Sequence, residues 1–329
     1  MKRVQWLTIF VFVGLCFGII ALSLIGKWDG GEFRNLKSSA VPTKQNEESF
    51  FKEAEYFLVK NDKKSLTLLA SQLALDSNTG RTVFLTPKGI AYTGTGEPIN
   101  YKGKTGLLKE GKEELMLEGE VTMEVDLSRY SSDKLDYNIV SDKLVSTGNV
   151  HTFSKSKKTG DEIEIFSESA ISYPKSEKSQ YLGKVRGKIL RKRAYEQSVY
   201  FNSNKLDLDM KKHQIDLIDD VSLKKQSFAA DALKGEIFLE NYNKRLKYFV
   251  LYDDVKIVET VVPSDGSSSF TRRAFSEKLE GIVSEGKIVL TGAPKVYQHK
   301  DVIKGNKIVL RENNEVVEVD DANTKFDLK

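Results

Sequence analysis

The chain contains a single cysteine in 329 residues, Cys16. That excludes a disulfide framework and any cysteine-based zinc site. Its three histidines, His151, His213 and His299, are too widely separated for a ligand motif. Charge of one sign is also missing: 51 Lys and Arg face 47 Asp and Glu, a net charge of +4. Such a balance excludes the dense basic surface of a nucleic-acid binder. No phosphate-binding loop, dinucleotide fingerprint, nucleophile elbow or zinc-protease motif occurs. The expectation is a protein that is not an enzyme and that needs no cofactor and no metal. Proline is scarce, at six residues, while Tyr, Phe, Val, Ile and Thr are plentiful, which favours strands.

The long apolar run that is present lies at the start, "MKRVQWLTIFVFVGLCFGIIALSLIGKWDGG". No charge interrupts Val4 to Gly26. As a helix, Leu7 to Ile25 would measure about 28 Å, close to the hydrocarbon thickness of a bilayer. The only two tryptophans, Trp6 and Trp28, flank it as interfacial anchors would. Lys2 and Arg3 place the N-terminus in the cytoplasm. The run exceeds the roughly 7–15 apolar residues of a cleaved signal peptide. Leu15 before Cys16 does not suit a lipoprotein box. Residues 1–28 therefore read as one transmembrane helix with the bulk of the chain outside the cytoplasm, and polar residues 29–49 as a linker.

Beyond it one phrase recurs. "LMLEGEV", "KLVSTGNV", "SQYLGKV", "IDLIDDV", "FVLYDDV", "KIVLTGAP" and "VVEVDDA" each give an apolar strand, then Gly or Asp, a variable residue and usually Val. The turn positions are Gly119, Gly148, Gly183, Asp219, Asp253, Gly292 and Asp320, spaced 28–39 residues apart. Gly and Asp tolerate a positive φ, and another strand follows at once, so each unit predicts a bend inside a sheet. The period marks an array of hairpin units. The acidic pairs Asp219–Asp220 and Asp253–Asp254 read as turns before they read as calcium ligands, because Gly fills the same place elsewhere.

Alternation supports strands throughout. Leu206, Leu208 and Met210 alternate with Asp207 and Asp209, and Ile215 and Leu217 continue the apolar face. "ESFFKEAEYFL" at 48–58 is the one stretch that suits a short helix, although it could equally lead into the first strand. The glycine-rich "GTGEPINYKGKTG" lacks a following helix and reads as hairpin turns. "RGKILRKRAY" at 186–195 is a basic run, either a solvated face or a contact for anionic headgroups. The expected fold is all-β, an elongated antiparallel β-jelly-roll behind the N-terminal helix.

Two stretches, "SLTLLASQLALDSNTGRTVFLTPKGIAY" and "INYKGKTGLLKEGKEELMLEGEVTMEV", resemble the periplasmic domain of LptC. "SSDKLDYNIVSDKLVSTGNVHTF" and "FSEKLEGIVSEGKIVLTGAPKVYQHKDVIKGNKIVL" resemble the LptA/OstA repeat. The resemblance implies an LptC-like roll over 50–155 continued by LptA/OstA-like repeats over 156–329. It further implies an inner-membrane subunit of lipopolysaccharide export that takes lipid from an ABC transporter towards the outer membrane. A periplasmic LptA-like protein would join by edge-strand pairing. Acyl chains would lie against an apolar groove formed by Leu206, Leu208, Met210, Ile215, Leu217, Ile288 and Leu290. The competing reading is a structural or adhesive β-array whose core is dry.

Overall fold

The computed structural model describes residues 48–60, 63–76, 80–92, 98–109, 114–138, 140–157, 160–192, 198–225, 228–240, 246–263, 268–311 and 316–320. Among them no helix is long and apolar enough to cross a membrane. The apolar run of residues 1–28 and the linker up to residue 47 lie outside the described residues.

The described residues form one antiparallel meander. It opens with β1 (Glu48–Lys60), β2 (Lys63–Asp76), β3 (Arg81–Leu85), β4 (Lys88–Tyr92), β5 (Pro98–Lys102) and β6 (Thr105–Lys109). Ten long strands follow, each paired to the next: β7 (Glu114–Val125), β8 (Ser128–Asn138), β9 (Lys143–Lys155), β10 (Glu162–Tyr173), β11 (Lys178–Leu190), β12 (Val199–Asp209), β13 (Gln214–Lys225), β14 (Phe228–Leu239), β15 (Leu246–Val261) and β16 (Phe270–Ile282). Five short strands close it: β17 (Lys287–Thr291), β18 (Lys295–Gln298), β19 (Asp301–Lys304), β20 (Lys307–Arg311) and β21 (Val317–Asp320). The stretch at 48–58 is strand, not helix: it pairs residue by residue with β2, and that tertiary ladder outweighs its local spacing.

Every long strand bends midway, so the sheet is folded along its length into two limbs. One limb, A, holds halves such as Lys143–Thr147 and Ser169–Tyr173; the other, B, holds Val150–Lys155 and Glu162–Phe166. At both ends of the roll the bend becomes a break. Thr86 and Pro87 separate β3 from β4, and Gly292 to Pro294 separate β17 from β18. Proline fits there because it need not donate to the ladder. The inner faces of the limbs meet. Phe228 of limb B and Phe249 of limb A bring their ring centroids to 6.3 Å.

The interior divides into two clusters. The first comprises Leu66, Phe84, Tyr101, Leu117, Leu135, Leu144 and their neighbours. The second runs from Val150 through Leu206 and Phe249 to Leu310. β9 contributes Leu144 to one and Val150 to the other, and Tyr130 packs against both.

Candidate functional site

The corners are built from consecutive left-handed residues. Gly148 and Asn149 have φ of 77° and 47°, Gly119 and Glu120 82° and 50°, Gly183 and Lys184 79° and 44°. Asp219 and Asp220 (59°, 54°), Asp253 and Asp254 (64°, 52°), and Gly292 and Ala293 (77°, 49°) do the same. Each such pair shifts the register against the neighbouring strands, a bulge that turns the strand from limb A into limb B. At Gly148 a second demand is added: a Cβ there would lie 2.4 Å from Oδ2 of Asp133. Asn149 Nδ2 donates to that same oxygen at 2.9 Å. Asp320 is different. It ends β21 in the ladder with Lys307 and has no positive φ, so the last phrase is a strand terminus.

A second corner motif lies on the alternate strands. Ser132–Asp133, Ser167–Glu168, Ser203–Asn204 and Ser276–Glu277 stand fifteen or sixteen residues ahead of Gly148, Gly183, Asp219 and Gly292. In the first three the serine hydroxyl donates to the carbonyl two residues on: Ser132 to Lys134 (3.0 Å), Ser167 to Ser169 (2.9 Å) and Ser203 to Lys205 (2.9 Å). This local bond occupies a carbonyl where the ladder is interrupted. The acidic side chains of Asp133, Glu168 and Glu277 fold over the facing glycines. Serine followed by Asp, Glu or Asn at this spacing was visible as sequence; its role needed the register.

The seven residues expected to line a groove fall in one region. Leu206, Ile215, Leu217, Ile288 and Leu290 are 0–1% exposed, all on limb A within the second cluster. Leu206 stands opposite Leu217, and Leu279 opposite Leu290. Leu208 is half-buried at the cluster margin. Met210 has left the strand: it sits in the β12–β13 turn, its N–H donating to Glu177 O at 3.0 Å. In this state the inner face is shut at these positions. It is more open in the first cluster. A small cavity of about 40 Å³, partly open to solvent, is lined there by Leu66, Tyr92, Ile99, Met123, Tyr137 and Pro174 among others.

At the C-terminal end a charged clasp joins the limbs. Glu259 and Arg272 face each other across β15 and β16, each 1% exposed. Arg272 Nη2 and Nε donate to Glu259 Oε2 at 2.7 and 3.1 Å. Nη2 also reaches Arg311 O of limb A at 3.3 Å. A buried pair of this kind needs each partner to keep the other solvated.

The outer face is neutralised. In the basic run, Lys188 pairs with Glu164, and Lys192 with Glu162 at 3.1 Å. Glu164 also takes His151 Nε2 at 2.7 Å, and the His151 ring stacks on Phe166 at 4.3 Å. Burial opposes ionisation of Glu164, but the bonds from Lys188 and His151 outweigh it and hold its carboxyl below the usual carboxylate range. These are the contacts of a salt-bridged solvent face. Among the described residues no group of His, Cys, Asp and Glu could hold a metal, and Asp253 and Asp254 instead meet Lys234 (3.6 Å) and Lys256 (2.6 Å).

Two family models match the chain. "Lipopolysaccharide-assembly, LptC-related" covers residues 15–160. "LptA/(LptD N-terminal domain) LPS transport protein" covers residues 200–316. Residues 161–199 lie between the two matches, and β8 and β9, which link the two interior clusters, fall within the LptC-related one. No curated protein matches. Among solved structures, LptH from Pseudomonas aeruginosa, described as the LptA homologous periplasmic component of the lipopolysaccharide transport device, is 16% identical. The match covers 38% of this chain and 82% of that one, with a TM-score of 0.33. The chain thus joins, by unbroken strand pairing, a segment of the LptC-related lipopolysaccharide-assembly family to one of the LptA/LptD N-terminal lipopolysaccharide-transport family.

Proposed function

We propose that this protein is an inner-membrane-anchored subunit of lipopolysaccharide export that carries lipid by binding and relay, without catalysis. Residues 1–28 anchor it with the N-terminus in the cytoplasm, 29–49 link, and the domain junction falls at 155/156. The observation that carries the proposal is the continuous ladder from the LptC-related segment to the LptA-like one, with an apolar inner face along both.

Acyl chains enter by parting the limbs. Opening exposes side chains such as Leu206 and Leu217 to water; acyl chains that take their place restore apolar contact, at about 0.8 kcal/mol per CH₂ buried. The cavity in the first cluster is where opening starts, since its wall is already incomplete. Among the described residues β1 pairs with β2 alone, and β19 and β21 each with one strand. Such edges accept further strands. β1, with Phe50, Phe51 and Phe57 exposed, docks on the ABC transporter complex, and the β19/β21 end on an LptA-like protein. A dry structural array would bury the same leucines; the two transport-family matches favour the carrier.

The test is in-cell photo-crosslinking. A photoreactive residue at Leu208 should form a lipopolysaccharide adduct, and one at Asp207, on the opposite face, should not. Equal labelling at both, or none at Leu208, contradicts the proposal.

A further inference from the structure

Between the two apolar clusters the inner face changes character. Over β8 to β11 it carries hydroxyl groups interspersed with aliphatic side chains such as Leu135, Val150 and Ile165. Ser128 and Ser154 pair at 2.9 Å on limb B, and Ser172 and Ser179 at 2.9 Å on limb A. Tyr181 of limb A donates its hydroxyl to Thr152 Oγ1 of limb B at 3.1 Å, so the belt spans the interior. Two members, Tyr130 Oη and Ser146 Oγ, lie beside each other and have no hydrogen-bond partner outside the pair. Ser146 is 0% exposed and stands in register with Leu135 and Ala170 on the inner face. Burial pushes the Tyr130 phenol up, with the Ser146 and Tyr181 hydroxyls as its polar neighbours.

Even with one bond between them, two buried hydroxyls leave a donor unused at a cost in stability, and Phe and Ala would fill the same space without that cost. The pair also sits where any lipid moving from the first cluster to the second must pass, since Tyr130 touches both. We infer that Tyr130 and Ser146 form an internal polar subsite that hydrogen-bonds the ester or amide carbonyls at the head of a lipid's acyl chains. The subsite holds a lipid in register where the two interior clusters meet. This rests on the carrier function proposed above and adds which chemical group the interior selects.

The experiment titrates the purified full-length chain with diacyl phosphatidylglycerol and with its diether analogue of equal chain length, each displacing a fluorescent lipid. The diether lacks only the carbonyls. The wild type should bind the diester about three- to tenfold more tightly, the range for one or two neutral hydrogen bonds. Y130F/S146A should lose that preference, bind the diether like the wild type, and unfold at or above the wild-type midpoint. A wild type without preference, a variant that keeps it, or a variant that unfolds earlier overturns the subsite. If the wild type binds neither lipid, the carrier function falls with it; if it binds both equally, only the subsite falls.

Discussion

Gly148 and Asp219 occupy the same corner in different repeats, and exchange should affect them in opposite directions. Gly148→Ala puts a Cβ against Asp133 at a φ of 77° and should lose about 1–2 kcal/mol in urea unfolding. Asp219→Gly relieves a left-handed non-glycine residue and should gain up to about 1 kcal/mol in the same assay. The glycine and aspartate corners were legible because those residue types tolerate positive φ. The serine of the facing corner was not, since its bond to the carbonyl two residues on depends on a register shift that no single strand displays. The clasp was equally silent: Glu259 and Arg272 are thirteen residues apart and look like two of many charges. Arg272→Met leaves Glu259 charged and unpaired and should cost about 3–5 kcal/mol in urea unfolding, and R272M/E259L should recover most of it.

At the scale of the element, period-2 alternation gave the faces but not their covers. Leu206 and Leu217 were recognisable as inward; that limb B closes over them was not, because alternation within a strand says nothing about what lies across the fold. Met210 shows the limit at an element's end, where the alternating pattern outran the strand by one residue. The stretch at 48–58 shows the reverse, a helix-like spacing overruled by a ladder with β2. The outer face makes a prediction of its own. Glu164 is held below its unfolded pKa, so its pairing stabilises the fold above about pH 4.3 and that contribution is lost as pH falls through the folded value. Lys188→Ala should lower the urea midpoint at neutral pH and leave a shallower decline on acidification than the wild type shows.

For the whole molecule, the repeat in the sequence disclosed a continuous roll, and its family likeness disclosed the order of segments. What it did not disclose is that the interior is two apolar clusters joined by a hydroxyl belt. Serines and threonines in a strand are ordinary residues until the register shows which of them point inwards, as Ser146 does and Thr147 does not. Nor did it place the cavity, which lies in the first cluster and away from all seven residues expected to line a groove. Those residues are closed in the described state, so the carrier function proposed above requires the limbs to part. The distance between limbs is therefore the most direct measurement. Spin labels on Tyr200→Cys of limb B and Lys211→Cys at the limb A turn, in a Cys16→Ser background, report it by pulsed electron resonance. Adding lipopolysaccharide should shift the distribution to longer distances. Lipid that binds while the distance stays unchanged would contradict the opening of the trough.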